Sequence, residues 1–153
     1  MKIERATPAQ AGIAARLLHD FNHEFETPVP PVVELEQRFV RLLQRDTVVV
    51  VLALDPAPVG FALLTLRPTP YSDGPLAQLE ELYVVPAVRG SGIGSAMLRC
   101  AIRTVQERGC EEMHINVDEP DIDARRFYER HGFSNYELGQ EYRMLCYVRE
   151  LET

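Results

Sequence analysis

The chain has 153 residues, 46% of them hydrophobic and 25% charged, with a formal net charge of −7. That balance fits one ordinary globular domain over residues 1–153, excludes a general nucleic-acid binder, which needs a basic surface, and contains no apolar run that spans a membrane. Three widely spaced cysteines make neither a disulfide framework nor a CxxC metal pair, and the start "MKIERATPAQ" has no apolar signal region, so a reducing cytoplasm is expected.

"KIERA" alternates from Ile3 and predicts a short first strand. Thr7 as N-cap, Pro8 at the first helical position and Gln10 closing a capping box start a helix that Ile13, Leu17, Leu18 and Phe21 carry to about Phe25. "TPVPP" stops it, because three prolines remove donors and fix φ. A second helix is predicted from about Val32 to Gln44, with Leu35, Phe39, Leu42 and Leu43 on one face.

"TVVVVLAL", Thr47 to Leu54, is the continuous β-branched run of a strand buried on both sides. "DPAPVG" turns it into a hairpin with Phe61–Arg67, and a polar, proline-rich loop leads to the strand "AQLEELYVV", stopped by Pro86. Strict alternation along that strand puts Gln78, Glu80, Leu82 and Val84 on one face and Glu81, Tyr83 and Val85 on the other. A third helix carries Met97, Leu98, Ala101, Ile102 and Val105 as one stripe and stops at Gly109. "EEMHINV" is a further strand, "DARRFYERHG" a short helix ended by Gly132 with Phe133 for the accompanying apolar contact, and "RMLCYV", Arg143–Val148, a closing strand. The order describes an α/β domain on a mixed sheet, with no internal repeat and no linker.

"VRGSGIG", Val88 to Gly94, raises the question of ligand. Glycines at alternate positions let backbone N–H groups form an anion nest, and the helix that follows adds its dipole, so a phosphate-bearing ligand is indicated. The stretch lacks the GK that a P-loop needs. As a dinucleotide fingerprint it fails at its third glycine, where Ser95 stands, and "PAVR" separates it from the strand.

Taken whole, "LEELYVVPAVRGSGIGSAMLRCAI" resembles the acetyl-CoA motif of the GCN5-related N-acetyltransferase (GNAT) superfamily, Q/R-x-x-G-x-G/A after a strand, here Arg89 to Gly94. "DIDARRFYERHGF" resembles the superfamily's later segment, N-x-x-A-x-x-x-Y-x-x-x-G-F, with Asp121 where asparagine is usual. Two motifs in order are far more specific than either alone. The resemblance implies a single-domain GNAT-like fold: a mixed, mostly antiparallel sheet of about six to seven strands, splayed at its centre and flanked by about four helices.

It also implies roles. Acetyl-CoA would lie with its pyrophosphate on Arg89, Gly90, Ser91, Gly92, Ile93, Gly94 and Ser95, and its pantetheine arm along the backbone of Leu82, Tyr83 and Val84. Asp121 stands where a further cofactor contact is expected. Amine acetylation needs an uncharged nucleophile, a donor to the developing oxyanion and a proton for the thiolate. Glu80 is the expected base, the Val84 N–H the oxyanion donor and Tyr128 the acid. Because alternation separates Glu80 from Glu81, the two are not expected to face the substrate together. The segment from Asp20 to Pro31 would wall the acceptor, with Phe21 and Phe25 offering apolar surface and Glu24 charge.

His19 and His23 sit i, i+4, but "HDFNH" is not HExxH and no third ligand is spaced for a metal, so none is expected. The reading is an acetyl-CoA-dependent N-acetyltransferase for a small primary amine. The alternatives are an enzyme acetylating a protein N-terminus or lysine, a non-catalytic acyl-CoA-binding module, and a purely structural domain. Homodimers are common in the superfamily, and the last strand is where two copies would pair.

Overall fold

A computed structural model describes residues 1–152. They form two compact units, Met1–Ile115 and a second from Asn116 onward. The first holds one sheet whose strands lie in chain order: β1 (Lys2–Arg5), β2 (Val48–Leu54), β3 (Pro58–Arg67), β4 (Leu76–Val84) and β5 (Met113–Ile115). Neighbours are antiparallel except β4 and β5, which run parallel. Three helices belong to this unit, α1 (Ala11–Glu24), α2 (Val32–Leu42) and α3 (Ile93–Glu107).

The start of α1 follows the sequence closely. Residues Pro8–Gln10 make a 3-10 turn, and the Gln10 side chain accepts from the Thr7 N–H at 3.0 Å. Every residue of β2 from Val48 to Ala53 is buried, as a β-branched strand covered on both faces must be. On one face, Val50, Leu52, Phe61 and Tyr83 join Ala14, Leu17, Leu35 and Phe39 of α1 and α2 in a single core. The other face belongs to α3: Met97, Leu98 and Ala101 are fully buried, and Gly60 of β3 lies so close to Met97 that a Cβ there would meet its terminal methyl at 2.8 Å.

The second unit contains α4 (Ile122–Arg130). The closing strand expected at Arg143–Val148 is not formed. Only a single bridge joins Tyr136 and Arg143, with the Met144 N–H donating to the Asn135 carbonyl at 2.6 Å. Leu145, Tyr147 and Val148 are exposed, at 69%, 90% and 86%. The apolar run with Tyr147 and Val148 supplies propensity, but a strand exists only where a ladder partner is present, and none lies along this segment among the described residues. The described sheet therefore has five strands instead of six to seven, beside four helices.

The loop before β4 is fixed by backbone contact with the end of α3. A Cβ on Gly74 would lie 2.0 Å from the carbonyl oxygen of Gly109, whose own φ of +84° ends the helix as the sequence predicts. Neither backbone can yield without moving β4 or α3. Gly74→Ala should therefore destabilise the protein by about 2–3 kcal/mol in a denaturant titration, whereas an unchanged midpoint would mean that the loop is free of α3.

Candidate active site

The two neighbours of β4 support different lengths of it. On the β3 side the ladder runs the whole way, from Arg67↔Leu76 to Gly60↔Val84. On the β5 side it covers only Ala77, Gln78 and Leu79. Past Leu79, β4 has a ladder on the β3 side alone among the described residues, because β5 ends at Ile115. The Val84 carbonyl accepts from the Arg89 side chain, and the following Val85 N–H donates to Val59 of β3. In an antiparallel pair, alternate residues turn their N–H and C=O groups to opposite sides. Val84 therefore points away from β3, and Leu82 with it.

A register shift between Leu63 and Leu64 changes which side chains share a face. Leu64 pairs with Leu79 and Leu63 with Glu81, so Glu80 is the extra residue of a β-bulge. Directly paired residues share a face, which sets Glu81 beside Leu63 on the same side as Thr65, Phe61 and Tyr83. The Thr65 hydroxyl donates to the Glu80 carboxylate at 2.6 Å, drawing that side chain to the same side. Simple alternation, which separates the glutamates, is thus corrected: both carboxylates belong to the face covered by α1 and α2. Glu80 is exposed; Glu81 is half-buried, and that burial, with the Glu80 charge beside it, raises its carboxyl above the ordinary range.

The glycine loop follows a 3-10 turn at Pro86–Val88. Gly90 and Gly92 have φ of +80° and +87°, and nothing lies within 4 Å of where a Cβ on either would stand. Gly92 is the N-cap of α3 and no side chain caps the helix. Ser91 turns its hydroxyl inward to the Val88 carbonyl. Ile93 and Gly94 precede Ala96, whose N–H is bonded to the Gly92 carbonyl at 3.0 Å, so their N–H groups belong to the helix end that intrahelical bonds do not reach. An open concavity of backbone donors at a positive helix end fits a pyrophosphate in both shape and charge.

The side chains expected to wall the acceptor do gather at the end of β4. Phe21 stacks on Tyr83 with centroids 4.9 Å apart, and Phe25 meets the edge of Phe21 at 5.4 Å. Glu24 forms an ion pair with Arg89 at 2.7 Å, and the Arg89 guanidinium lies 5.6 Å from the Tyr83 ring centroid. Burial holds the Tyr83 phenol above its ordinary value, with the charge of Glu24 acting in the same direction.

Tyr128 and Asp121 lie in the second unit. Tyr128 is buried, its ring against Phe127 at 5.2 Å and Phe133 at 5.7 Å, and the Phe133 N–H donates to its carbonyl past Gly132, as a glycine-capped helix end requires. Asp121 is the N-cap of α4, and its carboxylate accepts from the Ala124 N–H at 3.2 Å. The helix itself thus uses this side chain.

Residues 14–133 match the acetyltransferase (GNAT) family. The chain belongs to that family. It is 31% identical over 146 residues to an aminoglycoside N(6′)-acetyltransferase type 1 from Stenotrophomonas maltophilia, covering 93% of this chain and 92% of that one. A mycothiol acetyltransferase from Thermobispora bispora is 32% identical over 72 residues, 47% of this chain, which spans only 24% of that longer protein. A crystal structure from Arthrobacter sp. FB24, of a protein described as an acetyltransferase, superposes with a TM-score of 0.93 at 48% identity, covering 99% of this chain and 96% of that one. An aminoglycoside acetyltransferase from an uncultured soil metagenomic sample shares the fold, with a TM-score of 0.81 at 23% identity over 99% of this chain and 96% of its own.

Within this GNAT acetyltransferase, sequence reasoning missed Thr65 as the partner of Glu80, and Glu81 as its neighbour on one face. Neither had a signal, because a bulge leaves no fixed mark in a strand of ordinary composition. Nor did it anticipate that Arg89 and Glu24 meet. Glu81 yields a test on stability. Its pKa is raised in the folded state, so its folding contribution is most favourable below the unfolded value and diminishes as pH rises through the folded one. Glu81→Gln should match the wild type in Tm at about pH 4 and exceed it increasingly toward about pH 7. A Tm difference that does not change with pH would contradict a desolvated Glu81.

Proposed function

We propose that this GNAT acetyltransferase moves an acetyl group from acetyl-CoA to a primary amine of a small molecule by direct attack on the thioester. The observation that carries this reading is the open glycine nest at the start of α3, set beside a β4 whose outer edge has no ladder among the described residues at Leu82 and at the N–H of Val84, the Val84 carbonyl being held by Arg89. When bound, the donor supplies an activated acetyl thioester. The loop Gly90–Ser95 would hold its pyrophosphate, and the backbone of Leu82, Tyr83 and Val84 its pantetheine arm. The family match crosses from the first compact unit into the second, which supports reading the chain as one acetyltransferase domain.

The carboxylates on the bulge suit the acceptor. An amine of pKa near 10 is almost wholly protonated at neutral pH and has to lose a proton before it can attack. Glu80, oriented by Thr65, stands on the acceptor face as the base, directly or through water. The C–N bond then forms as the C–S bond breaks. The outward N–H of Val84 would donate to the carbonyl oxygen as it gains negative charge, and Tyr128, which holds the tyrosine position of the superfamily's later segment, is proposed from that match as the proton donor to the leaving thiolate.

Phe21 and Phe25 offer the acceptor an apolar wall and Glu24 a charged rim. A cationic small molecule fits this face, and the Stenotrophomonas relative, named for aminoglycosides, supports that class. The exposed Leu145, Tyr147 and Val148 support pairing of two copies through the C-terminal segment in a homodimer, and the free cysteines suit a reducing cytoplasm.

Isothermal titration with acetyl-CoA should show saturable binding that NADH does not share. Thiol release with a panel of amines, aminoglycosides included, should then fall about a hundredfold or more in kcat in Glu80→Gln, with acetyl-CoA binding unchanged. Full turnover in that variant would remove the base, and absence of acetyl-CoA binding would remove the proposal.

A further inference from the structure

Arg89 stands in the motif position from which it was expected to add charge to the cofactor site, yet its Nε–H, one terminal nitrogen and its ring-facing surface are engaged elsewhere. Its Nε donates to the Val84 carbonyl at 2.9 Å, and a terminal nitrogen donates to Glu24 at 2.7 Å. The guanidinium also lies over the Tyr83 ring, whose other aromatic partner is Phe21 of α1. One side chain thus bridges residues 65 positions apart, the last residue of α1 and the loop behind β4.

The end of α1 needs such a partner on two counts. Glu24 places a negative charge at the helix terminus where the dipole is already negative. Two residues on, Glu26 has φ of +54°, the left-handed conformation that glycine normally supplies. The Thr27 N–H closes that turn on the Asn22 carbonyl at 2.8 Å. A strained turn persists only where its surroundings over-determine it. Arg89 neutralises Glu24 and ties it to β4 immediately before the turn.

We propose that Arg89 is a positioning residue for the acceptor wall: by gripping Glu24 and the Val84 carbonyl together, it fixes the end of α1 against the end of β4. With those two nitrogens committed to the clamp, the backbone N–H groups of the loop are the main donors to a phosphate. The wall carrying Phe21, Glu24 and Phe25 is thereby set by the loop that begins the cofactor nest. Its role as an acceptor wall rests on the function proposed above; the clamp itself does not.

The test compares wild type, Arg89→Gln, Arg89→Lys, Glu24→Gln and the Arg89→Gln/Glu24→Gln double variant. Acetyl-CoA affinity is measured by titration calorimetry, and Thr27 amide exchange by NMR. Arg89→Gln should leave the acetyl-CoA Kd within about threefold while Thr27 exchanges about tenfold faster, and Glu24→Gln should match it. The double variant should be no faster than either single one, and Arg89→Lys should recover part of the protection, since an ammonium keeps the charge but not the fork. A Kd raised about tenfold or more, an unchanged Thr27 rate, or additive effects would each overturn the clamp. If wild type binds no acetyl-CoA, the proposed function fails, and the exchange rates alone still decide on Arg89.

Discussion

The arrangement turns on the unequal support of one strand. β4 is held on both sides as far as Leu79 and on one side from there to Val84. A backbone donor or acceptor that leaves a ladder keeps its demand for a partner. At Leu82, and at the N–H of Val84 whose carbonyl Arg89 already engages, that demand faces away from β3, at the end of the strand that leads into the glycine loop. The place where the sheet stops satisfying itself is therefore the place where a ligand with amide and carbonyl groups can substitute for a strand. Pro86 prevents β4 from continuing, and the short turn it opens delivers the chain to Gly90 and Gly92.

The bulge in the same strand governs charge. A regular ladder would send Glu80 and Glu81 to opposite faces, whereas the inserted residue brings both to the α1–α2 side and lets Thr65 hold one of them. Two neighbouring carboxylates, one partly desolvated, make a locally negative surface that favours an ammonium group over a neutral one. The positive elements, the N-terminus of α3 and Arg89, lie past the end of the strand. Opposite charge preferences are thus separated along a few residues of β4, with Tyr83 and Phe21 stacked between Arg89 and the core.

Much of this was legible in the sequence. The valine run of β2, the proline break between α1 and α2 and the glycine stops at Gly109 and Gly132 each correspond to a local rule, and each is formed as expected. What was illegible depended on pairing. A bulge is a mismatch between two strands and cannot be read from either alone, so the alternation along Gln78–Val85 misplaced Glu80. The segment Arg143–Val148 has strand composition and still has no ladder, because propensity does not create a partner. The Arg89–Glu24 ion pair joins distant positions that were read separately, one as cofactor charge and the other as acceptor charge.

The central claim is that the outer edge of β4 is open and receives the donor. Amide hydrogen exchange at Leu82 and Val84, followed by NMR with and without saturating acetyl-CoA, tests it most directly. The account predicts fast exchange at these two amides in the free protein, slow exchange at Tyr83 and Val85, and strong protection of Leu82 and Val84 once acetyl-CoA is bound. Protection of Val84 before the ligand is added, or exchange rates that acetyl-CoA leaves unchanged, would contradict it.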